Sequence, residues 1–403
     1  MKLQKKQTLD EAKETEENSL KTFGWALLIG EVILIALIWI FVRINLTPST
    51  ILESQRYPAF QDVNVMMLIG FGYLMTFIRS YAWSAIAYTF LINAFISQLY
   101  ILLSPFWEKV LFADFHDFLI VIDIEFLIRC SYAVASVLIA FGGLIGRVGP
   151  KDILIIGCVH LVGYTLNEQI VLFKILATDA GGSMTIHTYG AYFGLTVCLI
   201  LSQKIKPTTN IKISYISNIF GFIGTLFLWL YWPSFNYALF APYAFEQHQI
   251  VVNTFLSLTG SVLGTYIVSA LGLGRGLEME SILNSTLAGG VVIGSACSVI
   301  YRPGVAIMIG FSTGIISTLC FHSLTPKLLS LIGLYDTCGI HNLHGIPGLL
   351  GGIWSAIIIA FYNSGYDVAV AAQYYTGQLG NFPPDFLRQG GLQIAGTFTS
   401  FGM

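Results

Sequence analysis

DAGGSMTIHTYGAYFG, residues 179–194, and DTCGIHNLHGIPGLLG, residues 336–351, are two copies of one pattern. Both read Asp-x2-Gly-x4-His-x6-Gly, so Asp179, Gly182, His187 and Gly194 recur as Asp336, Gly339, His344 and Gly351. Each copy opens a long apolar run, which sets each histidine inside a hydrophobic segment. Internal repeats in an apolar chain are a mark of duplicated membrane halves. On the span assignment below, the copies fall on the fifth and tenth core spans, an odd number of crossings apart, and so run in opposite directions. With an aspartate at each surface, the histidine eight residues further on lies about 12 Å deep at ~1.5 Å per residue. Half of a hydrocarbon core is about 15 Å. The two imidazoles are therefore expected to converge near the midplane.

Composition points the same way. The chain is 55% hydrophobic and only 10% charged, with mean hydropathy +0.73, against roughly a quarter charged residues in soluble chains. It reads as an all-α, multi-pass integral membrane protein. A net charge of −2 gives no sign of nucleic-acid binding. The six cysteines lie in or beside apolar runs without CxxC spacing and read as small buried hydrophobes. No phosphate-binding loop, nucleophile elbow or pair of catalytic carboxylates in a wet loop is present, so neither an ATP-driven pump nor a hydrolase is supported. The chain is not read as an enzyme, and no cofactor or metal is expected.

Five segments follow from hydropathy. Residues 1–22 are highly charged and read as a cytosolic tail; 23–44 form an extra first transmembrane helix whose only charge between Trp25 and Val42 is Glu31. A first five-helix repeat covers 62–203 and a second 213–362. Core spans are expected near 63–79, 83–104, 119–146, 152–172, 183–203, 213–235, 249–271, 281–301, 304–323 and 339–362. Long loops are expected only around 105–118, 236–248 and 363–388. Residues 363–403 hold an external loop and the start of a final helix, GGLQIAGTFTSFGM, that reads as incomplete after two or three turns. With the N-terminus inside, thirteen Lys and Arg fall on the cytoplasmic side and six outside, leaving Arg129 within the third core span; this bias sets the N-terminus in the cytoplasm. It also places the sequon Asn45-Leu-Thr47, weakened by Pro48, outside as a candidate glycosylation site.

An ionisable side chain inside a span is costly and marks function by default. His187 and His344, at equivalent positions, are the leading pair. His341 is read as structural. His160, which has no repeat mate, reads more readily as a hydrogen-bonded core histidine. Asp179 and Asp336 stand at span entrances, where helix capping accounts for most of their role. Among the aromatics, Tyr132 and the stretch TLFLWLYWPSFN (225–236) stand out; the latter carries Trp232, Phe235 and Asn236 to one end of the sixth core span. An aromatic there stacks on a cation, plugs a pore, or simply packs. Arg129 lies one turn from Tyr132 on a shared face, with Glu125 a turn further out and Glu168 on the next span as candidate counter-charges.

These stretches resemble the ammonium transporter/Rh superfamily, and specifically its Rh glycoprotein branch. The resemblance runs from about Asp62 to Met403 and rests on DAGGSMTIHTYGAYFGLTV, GTLFLWLYWPSFN, NSTLAGG and DTCGIHNLHGIPG. It implies a homotrimer with one narrow hydrophobic pore per subunit, beside the two inverted five-helix repeats that the span count gives and an expected place in the plasma membrane. It implies that His187 and His344 line that pore, that Asp179 and its mate Asp336 stand at entrances, and that Tyr132 and Phe235 form the outer gate. The substrate so implied is ammonia or ammonium, with methylamine or carbon dioxide as further solutes. The chain departs from the pattern in having tyrosine at the first gate position, Arg129 beside it and a short final helix. Its fourth core span lacks the tryptophan of the bacterial and plant cation site, which favours the Rh branch. The alternatives are a carbon dioxide channel and a membrane scaffold that does not transport.

Overall fold

The computed structural model describes residues 2–46, 54–113, 118–202, 214–240, 245–272, 276–361 and 386–403. Thr47, Pro48, Lys204, Lys206, Lys212, Arg275 and most of the expected loop 363–388 lie outside the described residues. Among the described residues, nine helices are long and apolar enough to cross a membrane: Glu17–Phe41, Ala82–Phe112, Ile124–Leu144, Pro150–Lys174, Ser183–Ser202, Tyr215–Tyr237, Glu246–Ala270, Pro303–Ile332 and His341–Ala360. Eight of these fall on expected core spans and the first on the expected extra helix.

The remaining two core spans are built differently. The segment from Tyr57 to Phe77 alternates between α, wide and tight turns. It packs against Tyr215–Tyr237, where a Cβ at Gly224 would meet the Gly70 carbonyl oxygen at 2.7 Å. The second, expected at 281–301, is broken into Met279–Ser285 and Ala288–Ile293. Side chains from neighbouring helices take over its hydrogen bonding. Ser257 Oγ donates to the Gly289 carbonyl at 2.7 Å, Gly289 N–H donates to Ser261 Oγ at 3.1 Å, and Ser295 N–H donates to Ser183 Oγ at 2.9 Å. Buried backbone groups must be paired somewhere, and serine supplies what the interrupted ladder does not.

Several boundaries move from their expected places. Residues 2–22, read as a cytosolic tail, belong to one continuous helix, Lys2–Phe41. The first glycine of the chain is Gly24 and no proline precedes it, while Glu, Lys, Gln, Ala and Leu dominate, all good helix formers. The exposed pair Lys21–Glu17 at 2.8 Å adds a little. The third core span starts at Ile124 rather than 119, because Asp123 caps it by accepting from Phe126 N–H at 2.9 Å. The β-branched run Ile120–Ile122 ahead of it pairs in parallel with Val42–Ile44. The expected loop at 105–118 begins late, since its helix runs through Pro105 to Phe112. The ninth continues to Ile332, where Gly333 ends it at φ +69°. The final helix is Phe386–Gly402, 17 residues, longer than its apolar part suggests because it begins in the polar segment around Arg388.

Within Glu17–Phe41 only Leu34 is buried, and Glu31, its one intramembrane charge, accepts from Gln98 Nε2 at 3.2 Å. The final helix is tied to the loop before His187. Gln393 accepts from Thr178 N–H and donates to the Thr178 carbonyl, both at 2.7 Å.

Phe245–Ala270 packs on Pro303–Leu319 through small residues, as lipid-embedded helices favour. Gly310 and Gly314 face the backbone of Ser257 and Ser261, while Gly260 and Gly264 face that of Ile307 and Phe311. No Cβ fits at Gly310 against the Ser257 carbonyl. We predict that Gly310→Ala lowers the thermal midpoint of the detergent-solubilised protein, an overpacking loss of about 1–3 kcal/mol. Gly304→Ala, on the same helix in open space, should leave it unchanged or slightly raised. Equal midpoints for the two variants would mean that the interface yields.

Candidate functional site

Each copy of the repeated pattern folds into the same local device. Gly182 (φ +67°) and Gly339 (φ +74°) take the left-handed conformation that glycine adopts without strain. A wide helical turn follows each, Ser183–Thr188 carrying His187 and His341–Gly345 carrying His344. Asp336 accepts from the N–H groups of Gly339, Ile340 and His341 at 3.0, 3.0 and 2.9 Å. Asp179 accepts from Met184 N–H at 3.2 Å, from Thr185 N–H and Oγ1 at 2.8 Å each, and from Ser295 Oγ at 2.5 Å. Both carboxylates are therefore occupied as caps, which accounts for their recurrence.

The device brings the two histidines together. Nδ1 of His187 lies 3.1 Å from Nδ1 of His344. The rings are nearly parallel, 8° apart with centroids at 5.1 Å, and both are buried. His187 Nε2 is buried with no hydrogen-bond partner. A contact between two like nitrogens is a hydrogen bond only if one is protonated and the other bare. The pair therefore presents one N–H and one lone pair on its remaining nitrogens.

Aromatic rings flank the pair at both ends. His187 stacks on Trp232 at 5.7 Å and touches Phe235 at 6.1 Å; His344 stacks on Phe71 at 6.1 Å. Phe235 in turn meets Tyr132 with ring centroids at 4.5 Å, and the Tyr132 hydroxyl donates to the Phe235 carbonyl. The order is Tyr132, Phe235, His187, His344, Phe71. Asn236 points away from this file, donating to Thr254 Oγ1 at 2.9 Å, and holds two helices together.

Charges gather beyond Tyr132. Glu125 accepts from Arg129 at 3.0 Å and from Arg56 at 3.1 Å, so one carboxylate serves two guanidinium groups. Arg56 also donates to the Phe240 carbonyl at 2.6 Å. Glu168, the other expected counter-charge, is buried and accepts from the Tyr100 hydroxyl at 2.8 Å. Arg129, Phe173, Thr178, Asp179 and Phe240 line a cavity of about 450 Å³. Sequence reasoning missed Arg56 and Phe71. Arg56 sits far from Glu125 in the chain, and Phe71 is one of 29 phenylalanines with no distinguishing neighbour.

Residues 25–403 match the model of the Ammonium Transporter Family. The chain belongs to the ammonium transporter family. Ammonium transporter Rh type C of Xenopus laevis is 44% identical over 350 residues, 85% of this chain and 72% of that protein. Its Bos taurus namesake is 41% identical over 401 residues, 94% of this chain and 85% of that one. Among solved structures, Nitrosomonas europaea Rh50 superposes with TM-score 0.68 at 34% identity, covering 88% of each chain. These likenesses set the chain in the Rh branch of the ammonium transporter family, a family of transporters rather than enzymes. Saccharomyces cerevisiae Mep2 shares the fold at TM-score 0.66 and 19% identity over 87% of this chain and 82% of that one.

The capping geometry makes a direct prediction. Asp336→Ala leaves three backbone donors unmet and should cost about 2 kcal/mol, the upper range for a lost helix cap, seen as a lower thermal midpoint in detergent. An unchanged midpoint would mean that water replaces the carboxylate at no loss.

Proposed function

We propose that this protein conducts ammonia passively, with ammonium deprotonated at the vestibule beyond Tyr132. The observation that carries the reading is the buried His187–His344 contact, flanked by aromatic rings and with a free nitrogen on His187. On this reading Tyr132 and Phe235 form the outer gate, and His187 and His344 line the pore. Arg129 and Asp179 shape the approach, Trp232 backs His187, and Glu168, Asp336 and Asn236 hold structure.

Magnitudes favour the neutral species. With an amine pKa of about 10.4 as guide, giving up the proton near pH 7 costs about 4–5 kcal/mol. Carrying the ion into an apolar lumen costs an idealised ~20 kcal/mol, of which several remain after relaxation. Deprotonation is the lower route. Neutral ammonia still needs partners, since an unpaired polar group in hydrocarbon costs about 2–7 kcal/mol. The histidine pair offers it one N–H and one lone pair. Carbon dioxide would have no use for that donor–acceptor arrangement, and a scaffold would have no use for the pair at all.

The same reading extends to the assembly. We propose two inverted repeats, a homotrimer in the plasma membrane, a cytoplasmic N-terminus, and N-glycosylation at Asn45. The repeated pattern and the Lys/Arg bias support the orientation, and the resemblance to the Rh branch supports the trimer.

Two outcomes follow. In proteoliposomes the wild type should pass ammonia without current. His187→Asp or His344→Asp should add an ammonium-dependent current, because a buried carboxylate stabilises the cation and its water; zero current and unchanged flux in both would contradict the assignment. Arg129→Asn should strengthen apparent methylammonium affinity at low salt by about twofold to tenfold. The effect should shrink as the Debye length falls below ~8 Å. A salt-independent affinity equal to wild type would make Arg129 purely structural.

A further inference from the structure

A third buried histidine stands behind the pair and is not used by the conduction reading. His160, on the helix Pro150–Glu168, is fully buried. Its Nε2 lies 2.9 Å from Ser136 Oγ, and Ser136 Oγ donates to the Ile186 carbonyl at 3.2 Å. Ser136 has one hydroxyl proton. With that proton on Ile186, Ser136 accepts from His160, and His160 carries its proton on Nε2. Its Nδ1 is left buried and unpaired. Such an atom lowers stability, and leucine or phenylalanine would fill the space without that penalty. What an apolar side chain would not supply is the N–H that orients Ser136.

The other contacts of His160 reach the same helix. Its ring meets Tyr189 at 5.0 Å and Phe193 at 4.6 Å, both edge-on, and the Tyr189 hydroxyl donates to the His160 carbonyl at 3.0 Å. Gly190 allows the approach, since a Cβ there would meet the Ser136 carbonyl oxygen at 2.8 Å. Ile186 directly precedes His187 within the wide turn Ser183–Thr188. A wide turn departs from the regular ladder, and such turns occur mostly as local bulges at functional sites. The ring position of His187 therefore depends on what grips that turn from outside.

We propose that Ser136 and His160 are positioning residues for His187. The chain from His160 Nε2–H to Ser136 Oγ, and from Ser136 O–H to the Ile186 carbonyl, holds the turn in the register at which His187 meets His344. The proposal rests on the ammonia-conduction reading and assigns no solute contact to either residue.

The test uses the full-length protein in proteoliposomes, with ammonia and methylamine fluxes measured in parallel. Ser136→Ala and His160→Leu should each reduce ammonia flux about tenfold, well within what ~1 Å of misplacement produces, and raise the methylamine-to-ammonia ratio. The double variant should be no worse than either single, because both cut one chain. His160→Gln, whose amide N–H can reach Ser136, should recover most of the flux and the ratio. Wild-type flux and ratio in Ser136→Ala and His160→Leu would overturn the proposal, as would losses that add, or a Gln variant no better than Leu. If His160→Leu does not fold, Ser136→Ala and His160→Gln still decide the matter. Failure of the conduction reading has a different signature: wild-type vesicles would then pass ammonia no faster than protein-free ones.

Discussion

A hydrogen bond between two like nitrogens, 3.1 Å apart inside a membrane-spanning bundle, is the constraint on which the rest of the structure turns. It requires one protonated and one bare Nδ1, and it requires two separate helical turns to arrive with matching height and tilt. The left-handed glycines set the entry angle of each turn, and the aspartate caps fix its first residues. Trp232 stacks on His187 and Phe71 on His344. Each is a modest interaction. Together they leave the imidazoles little freedom to separate, and they keep water from solvating them.

The bundle satisfies much of its buried polarity in one way. Serines and threonines within the spans donate to backbone carbonyls, as Thr313 does to Ile309 and Ser317 to Asn342. Where the ladder is interrupted, between Ser285 and Ala288, side chains from neighbouring helices replace it. His160 and His187 each keep a buried nitrogen without a partner, as do Thr265, Ser269 and other described residues at a hydroxyl, ring or amide atom. What sets the two histidines apart is position, because they lie on two sides of one turn.

Much of this was legible in the sequence because it rests on spacing. The repeated Asp-x2-Gly-x4-His identified the pair, and the structure brings His187 and His344 into contact. Apolar run length located most of the spans. Strand Ile120–Ile122 and the helical residues 2–22 were not legible, because hydropathy alone does not distinguish a β-branched surface run from a helix start, nor a polar helix from a tail. Long-range partners were beyond reach. Arg56 on Glu125 and Phe71 on His344 are set by how helices assemble, which no local pattern encodes. His160 carried no repeat mate, and its contact with Ser136 joins two helices that no local pattern pairs.

The central claim is that the solute crosses as neutral ammonia. It is tested most directly by following flux into proteoliposomes at fixed total ammonium while external pH is stepped, with membrane current recorded throughout. Well below the amine pKa, the ammonia concentration rises about tenfold per pH unit while ammonium barely changes. The account predicts initial flux that rises in the same proportion, with no current. A flux that stays flat with pH and carries one charge per molecule would contradict it.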